Sequence, residues 1–174
     1  MHALIDCGDI ELSRVSYKEF REYFEVLDES EIRVKLALDD KRYERYLKLY
    51  KYGIDTPEVS FLYFMLTRKS DSKIIGECGF HTWNKRHNRA ELFYSLFFEE
   101  DKYKGIMSRI VPVVIDYGYT QMKLHRIEAF AEPSNTPSIR LLEKLQFQKE
   151  GYCKEHYYYE GKYDDSVMYA LIKK

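Results

Sequence analysis

The sequence predicts a mixed α/β (α+β) fold: a central, mostly antiparallel sheet of about seven strands with helices on both faces. Three observations carry this. Apolar residues alternate or run together over short β-branched and aromatic stretches. Between them lie segments with apolar spacing of i, i+3, i+4, i+7. The two kinds of segment interleave in the order β α α β β β α β α β β, which suits layered packing of helices on a sheet.

Ile10, Leu12 and Val15 mark a first strand over 10–15. Ser16 with Glu19 three residues later is a capping-box signature, and Phe20, Tyr23, Phe24 and Leu27 follow at helical spacing. Residues 31–38 carry no decisive pattern. A second helix is expected from about Asp40, with Tyr43, Tyr46, Leu47 and Tyr50 on one face and Gly53 as a left-handed stop. That tyrosine stripe reads as a core face rather than a ligand box. Ser60–Thr67, Lys73–Trp83 and Arg89–Phe98 then form three strands separated by turn signals, an antiparallel meander.

Ile106, Ile110, Val113, Val114 and Tyr117 space residues 105–119 as a helix, with Pro112 expected to kink it. Arg126–Ala131 is a strand. Thr136-Pro137 opens a helix with proline at its first position, where the missing N–H costs least, and Ile139, Leu142 and Leu145 supply its buried stripe. Two last strands, about 148–158 and 163–173, flank Glu160-Gly161 as a hairpin turn.

The chain has 174 residues, and at about 150 residues per domain it is read as one domain, 1–174. With 45% apolar residues, 33% charged residues and a net charge of −1, the composition excludes a disordered polymer. It argues against nucleic acid as a partner, because phosphate neutralisation needs a net basic face. The longest apolar runs, Phe61–Leu66 and Val167–Ile172, hold six residues. A membrane-spanning helix needs about 20, so no membrane partner is expected. Asp6 and Asp9 in an N-terminus without an apolar stretch argue against a signal peptide. Cys7, Cys78 and Cys153 are isolated and odd in number; they read as free thiols in a reducing cytoplasm, not as disulfides or metal ligands. His81, His87 and His156 are too dispersed for a metal site, and His125 reads as structural.

Lys102-Tyr103-Lys104-Gly105-Ile106-Met107 joins a strand to a helix. The start of a helix offers unpaired N–H groups and a positive dipole end to an anion, Gly105 permits close approach, and the lysines add positive charge. A second constellation is Arg126-Ile127-Glu128-Ala129, Pro133-Ser134-Asn135-Thr136-Pro137-Ser138 and Leu141-Leu142-Glu143-Lys144-Leu145-Gln146-Phe147. Together with the strand Glu91–Leu96 and the order of elements, these residues resemble the GNAT superfamily of acyl-CoA N-acetyltransferases. The nearest branch is that of ribosomal-protein N-terminal alanine acetyltransferases, the RimJ/RimL type. The likeness covers roughly residues 8–172. The chain departs from the family pattern at Tyr103, where a glycine is usual, at Arg109, where an acidic residue is usual, and at Gln146, which replaces the glycine of K-L-G-F. The loop before Lys102 is also one residue longer than usual.

The resemblance implies acetyl-CoA as cosubstrate, lying in a V-shaped opening between the strand ending near Phe98 and the strand ending near Ala131. Pantetheine would pair with backbone near Leu96, Phe97 and Phe98, and the diphosphate would meet the amides of Lys102, Tyr103, Lys104, Gly105, Ile106 and Met107. Asn135 would hold the cofactor's amide or the helix start. The acceptor is a protein N-terminus or a small amine, which attacks the thioester directly. An alkyl amine of pKa about 8–10 must first lose a proton, the developing oxyanion needs a donor such as the N–H of Leu96 or Phe97, and the departing thiolate benefits from an acid. Glu91 is the first candidate base; its structural alternative is a salt bridge to Arg89 or a hydrogen bond to a loop. Glu77, which shares a pleat face with His81 if alternation holds, is the second. Ser138 is the candidate acid, because the family's alternative tyrosine position is Leu142; its structural alternative is to satisfy the first helical turn. The helices at 16–52 and the 152–163 hairpin are expected to form the acceptor cleft. Nothing in the near-neutral charge balance announces a polycationic acceptor such as spermidine, which would favour an acidic pocket. Exposed aromatics on the last strands would suit a homodimer. A non-catalytic acyl-CoA-binding or regulatory module on the same fold is the competing reading.

Overall fold

The computed structural model describes residues 4–53, 56, 58–159 and 161–174. Eight strands form one sheet in the order β1-β2-β3-β4-β5-β6-β8-β7. They are β1 (Leu4–Cys7), β2 (Ile10–Ser16), β3 (Val59–Arg68), β4 (Lys73–Asn84), β5 (Arg89–Leu96), β6 (Arg126–Ala131), β7 (Gln148–Tyr159) and β8 (Lys162–Ile172). Every neighbouring pair is antiparallel except β5 with β6, which run parallel. The helices are α1 (Tyr17–Val26), α2 (Glu29–Leu36), α3 (Asp40–Tyr52), α4 (Ile106–Thr120) and α5 (Thr136–Lys144). The mixed, mostly antiparallel sheet with helices on both faces is the expected architecture.

Two elements lie beyond the expected order. β1 is a four-residue edge strand that folds back on β2 through Gly8, at φ 80°, whose N–H donates to Asp6 Oδ1 at 2.8 Å. α2 occupies the undecided stretch at 31–38. Its signal is in the sequence: Asp28 accepts from Glu31 N–H while the Glu31 carboxylate accepts from Asp28 N–H, the same reciprocal cap that Ser16 and Glu19 build on α1.

Successive β3 residues divide the core. Leu62, Phe64 and Leu66 pack with α4 and α5; Phe61 and Met65 pack with α1–α3. A strand turns alternate side chains to opposite faces, so α1–α3 cover one face and α4–α5 the other. Tyr43 and Tyr46 of the α3 stripe are buried, as expected of a core face.

Gly53 ends α3 with φ −65°, so it is not the left-handed stop expected. A Cβ there would meet Leu49 O at 2.2 Å, so it is crowding, not a left-handed turn, that calls for glycine at this position. α4 continues through Pro112 to Thr120. β5 ends at Leu96 rather than Phe98, because Phe98 already starts a short 3-10 turn at Glu99–Asp101. Gln146 takes φ 66°, the left-handed conformation that a K-L-G-F glycine would adopt. Of the expected hairpin turn, Glu160 lies outside the described residues, while Gly161 has φ 86°. Cys78 is buried, and Cys7 and Cys153 are half-buried free thiols.

Candidate active site

β5 and β6 are paired at only three positions: Arg89 with Arg126, Ala90 with Ile127 and Glu91 with Glu128. Beyond Glu91 they part. An ion network pins them just below the fork, where buried Glu128 receives Arg89 Nη1 at 2.7 Å and Arg126 Nε at 2.7 Å. The ion pair of Arg89 is therefore with Glu128; on Glu91 it acts only through its charge, which opposes the rise of that carboxyl's pKa. Above the fork a cavity of about 650 Å3 opens, walled by β5, the start of α4, β6 and the start of α5.

The ladder decides which β5 backbone groups face this opening. Phe97 N–H donates to Ile75 O at 2.8 Å. Hydrogen-bonded pairs alternate along an antiparallel ladder, so residues 91, 93 and 95 also turn their backbone groups to β4. Tyr94 and Leu96 turn theirs the other way, to the side that β6 has left. Phe97 is thus corrected as a donor to the site: its N–H is already engaged, and neither Phe97 nor Phe98 lines the cavity. Leu96 does.

Past the end of β5, Gly105 caps α4 at φ 74°, and no side chain caps the helix start. The first amides of α4 are consequently open to an anion. A Cβ on Gly105 would meet nothing within 4 Å, so what the glycine supplies there is the left-handed turn and a clear approach. Lys102, Tyr103, Gly105, Ile106 and Met107 line the cavity and Lys104 does not. The Lys102 ammonium is paired with Glu99. Tyr103 is an exposed non-glycine residue at φ 60°. These groups fit an acyl-CoA: free amides and a lysine for a diphosphate, and unpaired strand-edge groups for an amide-bearing arm.

Glu91 lies at the fork with 16% of its side chain exposed. Burial, which penalises the charged form, raises its pKa to about 7; the Tyr157 hydroxyl opposes the rise, and the negative Glu128 adds to it. Tyr157 donates to Glu91 Oε1 at 3.2 Å, and His81 Nε2 approaches the same oxygen to 3.4 Å. Burial, aided by the charge of Arg45, lowers His81 to about 4, so near neutral pH this contact joins a neutral imidazole to a carboxyl poised to titrate. The sequence reading dispersed His81 and did not single out Tyr157. Cross-strand register brings His81 opposite Glu91. Tyr157 arrives through a bulge in β7, where Cys153–Tyr157 oppose only Ser166–Asp164.

Glu77 stands apart from this cluster. It is 1% exposed and does not line the cavity; the Arg45 guanidinium and the Tyr46 hydroxyl occupy its two oxygens. The expectation that Glu77 is the alternative base is corrected on that ground: it anchors α3 to β4.

Ser138 sits in the first turn of α5 and lines the cavity. Its hydroxyl shares a 2.8 Å hydrogen bond with Tyr94 OH, a partner the sequence reading did not identify. Asn135 Oδ1 accepts from Ser138 N–H at 3.1 Å, so Asn135 is the cap of α5 while it also borders the cavity. Leu142, at the family's tyrosine position, is buried in the core.

Residues 9–148 match the family model for an acetyltransferase (GNAT) domain. An uncharacterized N-acetyltransferase, p20, of Bacillus licheniformis is 41% identical over 111 residues, 64% of this chain and 62% of that protein. The spermidine N(1)-acetyltransferase of Escherichia coli is 27% identical over 90 residues, 52% of this chain and 48% of that protein. The matched segment thus spans about three fifths of the first relative's length, and less of the second. The ribosomal-protein-S5-alanine acetyltransferase of Vibrio fischeri superposes with a TM-score of 0.69 at 25% identity, covering 98% of this chain and 96% of that one. The family match extends over both walls of the fork, and by it this chain belongs to the GNAT acetyltransferase family.

Proposed function

We propose that this chain is an acetyl-CoA-dependent N-acetyltransferase acting on a primary amine, either a protein N-terminal α-amine or a small-molecule amine. One observation carries the reading: a half-buried carboxyl of raised pKa, Glu91, stands where β5 and β6 part, in the same cavity as the open amides of α4 and the Ser138 hydroxyl. Acetyl-CoA, when bound, supplies an activated acetyl thioester.

The protein's own groups then have distinct tasks. Glu91 takes a proton from the incoming ammonium; a carboxyl with a pKa near the working pH suits that exchange better than an ordinary one. Tyr157 and His81 fix its orientation. The outward N–H groups of Tyr94 and Leu96 are available to a carbonyl oxygen on which charge develops. Burial keeps the Tyr94 phenol protonated, so the Tyr94–Ser138 pair can pass a proton through Ser138 Oγ to a departing thiolate. Free, buried or half-buried thiols fit a reducing compartment such as the cytoplasm.

Two features of the phosphate loop favour the competing reading of a non-catalytic acyl-CoA-binding module: a strained Tyr103, and a Lys102 charge shared with Glu99. One experiment separates the two. The chain is incubated with acetyl-CoA and a panel of amines and peptides while free thiol is followed, and acetyl-CoA binding is measured by calorimetry. Thiol release that depends on the amine supports the enzyme; heat of binding without release on any acceptor supports the module.

A further inference from the structure

A second cleft, of about 490 Å3, meets the first at His81 and Phe93 and runs away from it under α3. Its walls are aromatic: Tyr46 and Tyr63, with Tyr52 at the exposed end. Its charged lining residues are Arg45 and Lys48, and among the described residues no Asp or Glu lines it. Behind the wall, the Glu77 carboxylate is already held by Arg45 and Tyr46. Arg45 nevertheless keeps 54% of its side chain exposed, and its charge reaches far enough to depress the basicity of His81. Lys48 has no ion-pair partner among the described residues.

We infer that this cleft seats the body of the acceptor and selects amines whose remote end is anionic, disfavouring polyamines. The inference rests on the acetyltransferase reading and narrows it. An amine presented to Glu91 from this side extends past His81 and Phe93 toward Arg45 and Lys48. A carboxylate on the adjoining residue meets two cations there. A second ammonium meets the same cations, and no carboxylate among the described lining residues offsets them. The aromatic walls supply apolar contact of little charge preference, so the discrimination is electrostatic.

The test uses the full chain, saturating acetyl-CoA and three dipeptide amides that share one α-amine: Ala-Glu, Ala-Gln and Ala-Lys, with spermidine as a polycation. The expected kcat/KM falls in the order Ala-Glu, Ala-Gln, Ala-Lys by roughly fivefold per step, the scale of one partly exposed charge pair, with spermidine lowest. In Lys48→Glu, a change on the exposed face of α3, the ratio of Ala-Glu to Ala-Lys turnover contracts or inverts, and raised salt contracts it in the unaltered chain. Equal rates across the dipeptides, or preference for Ala-Lys or spermidine, overturns the inference while acetyl transfer stands. Absence of turnover on all four acceptors overturns both.

Discussion

His81 Nε2 lies 3.4 Å from Glu91 Oε1, across a directly paired position of β4 and β5. Burial drives the two groups in opposite directions: His81 down to about 4 and Glu91 up to about 7. Each shift disfavours the charged form in a poorly hydrated site. The pair is therefore mostly uncharged just below neutral pH, and Glu91 is the member whose protonation changes there. The base role proposed for Glu91 requires the ionised form, so on that reading kcat/KM at saturating acetyl-CoA is expected to rise with pH and level off above about 7. In Glu91→Gln the limb near 7 disappears, and kcat falls by roughly 10²–10⁴-fold, the usual contribution of a positioned base. An unchanged profile in Glu91→Gln would assign the proton to solvent.

The raised pKa of the same carboxyl also bears on stability. An unfolded chain gives up the Glu91 proton near the ordinary carboxylate value of 4.5, whereas the fold retains it until about 7. Because the folded value is the higher one, folded-state stability declines as pH rises from about 4.5 to about 7 and is level in this respect above that. Glu91→Gln removes the penalty. The variant is expected to match the unaltered chain near pH 4.5 and to exceed it at pH 8 by at most ~3 kcal/mol, read as a Tm gap that widens between those pH values.

Ser138 and Tyr94 join α5 to β5 through one 2.8 Å hydrogen bond between hydroxyls. If Ser138 returns the proton to sulfur, Ser138→Ala lowers kcat while leaving KM for acetyl-CoA nearly unchanged. Tyr94→Phe lowers it less, because Ser138 keeps its own hydroxyl. Equal losses in kcat and in acetyl-CoA affinity would instead mark Ser138 as a binding contact.

Tyr103 and Gly105 hold neighbouring left-handed conformations, φ 60° and 74°, but only one of them is glycine. A side chain in that region costs about 1–2 kcal/mol. Tyr103→Gly is expected to offset most of that strain and to tighten acetyl-CoA binding, measured by calorimetry, provided the freed loop keeps its order. Gly105→Ala moves the same quantities the other way: it weakens acetyl-CoA binding severalfold and lowers kcat at saturation little. Tighter binding by Gly105→Ala would remove the helix start from the anion site.

How far the site can be read from the residues follows from which distances are local. The cap of α5 at Asn135, the helix start at Gly105 and the strand that bears Glu91 are local patterns, and each is where the sequence places it. α2 stays undecided from the pattern at 31–38, although its signal is local too: Asp28 and Glu31 repeat the Ser16–Glu19 spacing. His81 and Tyr157 have no such local signal. Their nearness to Glu91 depends on the β4–β5 register and on a β7 bulge that sets Cys153–Tyr157 against Ser166–Asp164, and no pattern within one strand encodes either. Glu77 shows the complementary error. Alternation puts it on the face of Glu91 and His81, but whether a carboxylate there meets substrate or a helix depends on where α3 lands.

That landing gives Glu77 a role separable from chemistry. Arg45 and Tyr46, adjacent on α3, both reach its carboxylate. Arg45 is about half exposed and Glu77 is sealed, so the two partners are not equivalent. Arg45→Ala leaves the sealed Glu77 carboxyl without its guanidinium partner, whereas Glu77→Gln removes the carboxyl and keeps an acceptor for the Tyr46 hydroxyl. Breaking a buried pair from one side costs about 3–5 kcal/mol when the remaining charge is left uncompensated; here Tyr46 still donates, so the expected loss for Arg45→Ala is nearer the lower end. Glu77→Gln is expected to cost less, because the guanidinium left behind can turn to water. At a temperature where both variants are folded, the pH limb near 7 should persist in each, since Glu91 is untouched. Loss of that limb in Glu77→Gln, with a normal Tm, would return Glu77 to the chemistry.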